Sequence, residues 1–328
     1  MRTVTKWQCG ILGTAAIVLA AGGARAQSCG IDSIFVSGFE VPAAGGAAGG
    51  LSTASQSPGL ALGIEGPDLT GRANPCNTGP RYTCTSTFNG NFTTSSDGQT
   101  IEGMCIHGEL RIQHNNVTVR DTTVISGGLY GIDIGYGVST CPANTLIEYT
   151  EVDKSPAPGI PWGVYQRCPG GQTFDHVKIH HVGRGMMIYG NITVRDSYVY
   201  SDRTIEGAHR TAISTHGGDN FTVTGNTFIC VNTGCSSSVN MYSDYAPVTN
   251  YLLQNNLVAG GSICVRGGQT HNYPDDTHDI RILDNRFSTV YHPECGTFQA
   301  LGQFDATAPG NIRSGNVWHE NGQPITGE

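Results

Sequence analysis

The chain has 328 residues, 18 Lys plus Arg against 26 Asp plus Glu, and a formal net charge of −8. That acidic balance argues against a nucleic-acid partner. Charged residues are only 13% and glycines number 46, which fits many strands and tight turns rather than amphipathic helices.

In chain order, residues 1–26 read as a signal peptide. Arg2 and Lys6 give a positive start, Ile11 to Ala21 is a short apolar run, and Ala24-Arg25-Ala26 is a small-x-small cleavage site. The run is too short for a stop-transfer helix, and no later stretch is apolar enough. Export with release, without membrane insertion, is therefore expected. Ala26-Gln27-Ser28 before Cys29 is a poor lipobox. Cleavage leaves 15 basic and 26 acidic residues and removes Cys9. The ten cysteines that remain are an even count, which reads as disulfides in an exported chain. Cys76/Cys84 and Cys230/Cys235 are the expected local staples. No C-x-x-C pair is present for zinc.

Residues 27–59 form a leader. Ser33 to Glu40 resembles a short Gly-Phe-Glu segment near the mature ends of exported proteins from some Gram-negative bacteria, so a bacterial protein, periplasmic or extracellular, is expected. The Ala/Gly/Ser run from Ala43 to Ser57 reads as a flexible linker.

A repeat occupies residues 60–328 and sets the fold expectation. Val117-Thr-Val-Arg-Asp-Thr-Thr-Val124 recurs as Ile192-Thr-Val-Arg-Asp-Ser-Tyr-Val199 and as Phe221-Thr-Val-Thr-Gly-Asn-Thr-Phe228. Tyr251 to Val258 and Ile280 to Phe287 are the same unit, and weaker copies end at Val152, Ile179 and Val317. The terminal apolar residues follow one another at 20–30 residues. Alternation within each copy gives a strand with one buried face, and an Asp/Asn/Gly step marks a bend. Such spacing without helices predicts an all-β, right-handed parallel β-helix of about eight or more coils. A β-sandwich, the competing fold, would need hairpin signals at shorter, irregular spacing.

A second strand falls in each coil: 131–135, 163–167, 185–189, 212–216, 238–242 and 262–266. Ile132/Ile134, Met186/Ile188, Val239/Met241 and Ile263/Val265 should point inward. One outward column is then Asp133, Tyr165, Met187, Ser214, Asn240 and Cys264. The next is Gly135, Arg167, Tyr189, His216, Tyr242 and Arg266. Cys264 reads as a disulfide partner and Asp133 as a solvated turn residue.

The second column carries the candidate chemistry. Aromatic faces stack on sugar rings, Arg forks a carboxylate, and His and Tyr move protons. These residue types suit β-elimination of a uronate polysaccharide. Arg266 or Arg167 would neutralise the substrate carboxylate, and His216 and Tyr242 would be base and acid in either order. Tyr189, His209 and Arg210 would line the same groove, and Asp244 would orient His216 or bind a metal. The bland alternative is that these side chains only cover the sheet. No paired carboxylates stand in the columns, so a glycoside hydrolase is the second enzyme reading. A non-catalytic carbohydrate-binding or surface-interaction solenoid is the alternative from another class. Asp275-Asp276 with Asp279, or Glu151 with Asp153, would supply part of a Ca2+ site for calcium-assisted elimination, although adjacent loop acids are ordinarily just solvated. Asn116, Asn191 and Asn220 stand in sequons but read as turn residues whose side chains stack from coil to coil. A monomer is expected, with coil ends capped by the N-terminal segment and the C-terminal tail.

From Thr100 to Pro324 the chain resembles the right-handed β-helix proteins of the pectate-lyase-like superfamily. The resemblance rests on His209-Arg-Thr-Ala-Ile-Ser-Thr-His-Gly-Gly-Asp-Asn220, Ser238-Val-Asn-Met-Tyr-Ser-Asp-Tyr-Ala-Pro-Val-Thr-Asn250, Gly260-Gly261 and Ser314-Gly-Asn-Val-Trp318. Thr211 stands where such members carry an acid, and Tyr242 where they carry Lys. The resemblance implies carbohydrate-directed activity on a β-helix that also hosts hydrolases, epimerases and adhesive proteins.

Overall fold

The computed structural model describes residues 67–325 apart from 160, 205–208, 232–233 and 270–271. The expected signal peptide, leader and linker lie outside the described residues. All elements are strands, stacked in three parallel sheets. Sheet A has ten strands, and sheets B and C have nine each. The chain visits A, B and C in turn and then repeats, so each coil lies on the one before, in the right-handed parallel β-helix that the repeat predicts.

Each repeat copy is two strands, not one. Thr118–Arg120 belongs to sheet C and Thr123–Ile125 to sheet A. Between them Asp121 has φ +46°. Tyr149, His176, Asp196, Gly225, Asn255, Asp284 and Gly315 follow their sheet C strands in the same place, all with positive φ. A left-handed residue thus turns the chain at this corner of each coil, a conformation that Asp, Asn and Gly adopt most readily. The next residue points inward. At Asn226, Asn256, Asn285 and Asn316 it forms a fully buried ladder, each Asn Nδ2 of the first three donating to the Oδ1 of the next coil's Asn at 2.9–3.0 Å. Asn116, Asn191 and Asn220 are left-handed turn residues as expected, and their exposed side chains bond along a second, outer stack.

Three apolar stacks fill the interior. Val124, Val152, Ile179, Val199, Phe228, Val258 and Phe287 stack through sheet A. The final anchor is Trp318 rather than Val317, because Trp318 pairs with Phe287. Residues 67–85 do not cap a coil end. Arg81 binds Asp121 bidentately, Gly79 N donates to the His176 carbonyl, Arg72 donates to Asn255, and His319 meets the Asp68 carbonyl. The segment therefore straps the side of the solenoid along most of its length.

Disulfides link Cys84–Cys105, Cys141–Cys168, Cys230–Cys235 and Cys264–Cys295. The 230/235 staple and the role of Cys264 are as expected. Cys84 pairs with Cys105 rather than with Cys76, because strands 86–89 and 104–107 are neighbours in sheet A. No helix of the described residues is long and apolar enough to cross a membrane.

Sheet B positions the site, and a glycine column shapes it. A Cβ on Gly163 would meet Ile179 Cγ2 at 2.4 Å, and one on Gly185 would meet the Ala212 carbonyl at 2.1 Å. Both positions face inward where the chain enters sheet B, and the next residues, Val164 and Met186, also face inward and are buried. The residues before the glycines are therefore thrown outward. Gly185→Ala should lower stability by ~1–3 kcal/mol through overpacking, read as a lower urea midpoint.

Candidate active site

Three outward columns run down sheet B. Paired strands place Tyr130, Trp162, Arg184, Thr211 and Ser237 in the first. The second is Asp133, Tyr165, Met187, Ser214, Asn240 and Arg266. The third continues two residues further on as Arg167, Tyr189, His216 and Tyr242. Between the strands lies a groove of about 510 Å³ lined by Trp162, Tyr165, Arg184, Met187, Tyr189, His209, Thr211, Ser214, His216, Ser236, Asn240, Tyr242, Asp244 and Tyr245.

His216 lines it from the third column. Its Nδ1 lies 2.6 Å from Asp244 Oδ2. Asp244 is carried there by the turn after strand 235–241, in which Tyr245 N donates to the His216 carbonyl. A carboxylate at Nδ1 fixes that nitrogen as the N–H donor, so Nε2 is the basic nitrogen. The Tyr242 and Tyr245 rings flank the imidazole at 5.6 and 5.5 Å between centroids. Tyr189 is the next outward residue on the other side, its hydroxyl 3.5 Å from that of Tyr165. Burial, then the neighbouring Tyr165 hydroxyl, push the Tyr189 phenol up, so it stays protonated as a donor.

His209 lines the same groove, with Nδ1 3.3 Å from Ser236 Oγ, and its carbonyl accepts from Arg184 Nε at 2.9 Å. Arg184 lies over the Trp162 ring at 4.6 Å. Burial lowers the Arg184 guanidinium from its ordinary value, but an arginine remains charged throughout the physiological range. Arg184 and Trp162 are absent from the columns read in the sequence. Their signal is the recurrence of a large residue before glycine: Tyr130-Gly131, Trp162-Gly163, Arg184-Gly185.

Three expected arginines do not line the groove. Arg210 is fully buried, its guanidinium donating to the Val231 carbonyl. It stands where the strand enters the sheet with a register shift at Arg210/Thr211, and this turns it inside. Arg167 is engaged bidentately by Asp133, with both contacts 2.7 Å. Asp133 is not a solvated turn residue but fully buried beneath this pair. Arg266 pairs with Asn240, not with Tyr242. Its Nε donates to Ser237 Oγ and its Nη1 to Gln303, although its guanidinium approaches the Tyr242 ring at 5.8 Å. Cys264 accordingly leaves the Asn240 column. The acids named for Ca2+ divide: Asp275 and Asp276 are exposed, whereas Glu151 and Asp153 are engaged by His180 and His181.

Against known families, curated proteins and solved structures, the chain has no match. The parallel β-helix and the groove are therefore what bears on function. The fold suits an enzyme or binding protein for extended polysaccharides, because the groove follows the stacked strands.

Proposed function

We propose that this protein is a secreted polysaccharide lyase that cleaves a uronate-containing glycan by β-elimination in the sheet B groove. The observation that carries the reading is His216, oriented by Asp244 and set among tyrosines. Arg184 lines the same groove opposite Thr211, five residues before His216, and binds the carboxylate of a neighbouring uronate. His216 Nε2 takes the C5 proton of the reacting sugar. The C4–O bond breaks as the C4–C5 double bond forms, and the Tyr242 hydroxyl protonates the departing oxygen. Base and acid stand on adjacent strands with rings 5.6 Å apart, which suits removal and delivery of protons on one face of the sugar. Trp162, Tyr165 and Tyr245 offer ring faces for neighbouring sugars. The resemblance to the pectate-lyase-like superfamily supports the same substrate class.

Hydrolysis fits the groove less well. It needs two carboxyl groups across one bond, and Asp244 is the one carboxylate among the described lining residues, already engaged by His216. A non-catalytic carbohydrate-binding solenoid would use the same aromatic wall without forming new chain ends.

The substrate test compares acidic polysaccharides with their carboxyl-reduced counterparts, scoring new chain ends. Cleavage of the acidic form alone is expected, and equal cleavage of both would refute a role for the uronate carboxylate. Arg184→Ala should raise KM on the acidic polymer by about 10-fold or more, since a charge-assisted contact of about 1.5–3 kcal/mol is lost. Unchanged kinetics in that variant would remove Arg184 from the site.

A further inference from the structure

A second cluster lies on the outer face of sheet A, away from the groove. Strand 178–182 carries His180 and His181 beside Asp153 of strand 151–153. Consecutive strand residues normally point to opposite faces. Here His181 has φ +55°, and the register shifts between Ile179 and Val182. That bulge brings both imidazoles to one side. Their Nδ1 atoms are 2.9 Å apart, and His181 Nδ1 is 2.8 Å from Asp153 Oδ1. Asp153 Oδ1 and Oδ2 are steadied by Ser155 N and Oγ at 2.8 and 3.0 Å.

Proton accounting explains what these atoms share. His180 Nε2 lies 2.8 Å from Glu151 Oε1, so that nitrogen carries the proton and His180 Nδ1 presents a lone pair. Lys178 Nζ lies 2.5 Å from the same Glu151 oxygen, which fixes Glu151 as the acceptor. A carboxylate that orients the far nitrogen of an imidazole is the usual support of a metal-ligating histidine. One ligand atom from each of His180, Asp153 and His181 lies within 4.8 Å of those of the other two. A first-row ion about 2.0–2.1 Å from each would subtend roughly 90° at the two short separations. Two imidazoles and one carboxylate leave the ion's remaining coordination positions open.

We propose that His180, His181 and Asp153 bind a divalent first-row transition ion such as Zn2+, with Glu151 as the positioning residue. Imidazole nitrogens favour such an ion over Ca2+, which takes oxygen ligands. The half-exposed His181 ring, 44% accessible, gives the ion a route in.

The test is Zn2+ titration by calorimetry into tag-free, chelator-treated protein, without substrate, so it stands apart from any assay of the groove. One ion per chain with micromolar or tighter Kd is expected. His181→Asn tolerates the left-handed backbone and should weaken binding at least 100-fold. Glu151→Gln should weaken it 10- to 100-fold, with the circular dichroism spectrum unchanged in both. Asp175→Asn, in a separate cluster with His176 and Asp196, should leave binding as it is. Absence of saturable binding overturns the proposal. So does binding that survives both His181→Asn and Glu151→Gln.

Discussion

Replacing His216 by alanine should lower kcat about 10²- to 10⁴-fold, the range that a positioned general base contributes, while the polysaccharide still binds. The side chain is small in the recognition surface, which Trp162, Tyr165, Arg184 and Tyr245 dominate. Its loss removes the acceptor for the C5 proton and little else. Asp244→Asn should act on the same step through the ring. An amide at 2.6 Å from Nδ1 can donate as well as accept, and it no longer stabilises the imidazolium that forms as the proton arrives. The kcat of Asp244→Asn should therefore fall by a similar factor, with KM changed little. The double variant should be little worse than either alone, because two residues acting as a unit are not additive. Single-turnover rates with matched binding measurements separate these outcomes. Full activity in His216→Ala would place catalysis elsewhere.

The largest stability effect is expected at Asn256. Its side chain is fully buried. Nδ2 donates to the Val223 and Gln254 carbonyls and to Asn285 Oδ1, and Oδ1 accepts from Asn226 N and Nδ2. Alanine would strand several of these groups in the interior at about 1–3 kcal/mol for each one left unsatisfied. The expected loss for Asn256→Ala is about 3–5 kcal/mol, read from urea unfolding followed by circular dichroism. Asn220→Gly is the contrasting variant. It keeps the left-handed backbone and loses only exposed bonds to Asn191, Asp219 and Asn250, so it should cost under ~1 kcal/mol. Equal losses in the two variants would mean that the inner ladder adds nothing beyond the turn.

The coils were legible in the sequence because alternation and the Asp/Asn/Gly bend repeat together. Val124 through Phe287 stack as the repeat requires, and His216, Tyr189 and Tyr242 share an outward column. The sequence does not fix the column of Arg266, because a slip of two residues preserves parity. Ile263/Val265 and Val265/Gly267 alternate alike, and only the pairing of Val239 with Val265 decides between them. Arg184 and Trp162 are hidden in the sequence for a different reason. A glycine carries no side chain to register in the alternation, and at Gly163 and Gly185 the chain bends so that two successive residues face inward. The burial of Arg210 is not legible, because the register shift at the strand entry is not encoded in the polarity of the residues. The His180/His181 pair gives no signal in the sequence, because neighbours in a regular strand diverge and the bulge that joins them appears only in the backbone.

Elimination in the sheet B groove is tested by following ultraviolet absorbance of unsaturated uronate and new reducing ends together, as the purified protein acts on an acidic polysaccharide. One unsaturated end for each new reducing end is the expected result, with both signals lost in His216→Ala. New reducing ends without absorbance would contradict it and establish hydrolysis instead.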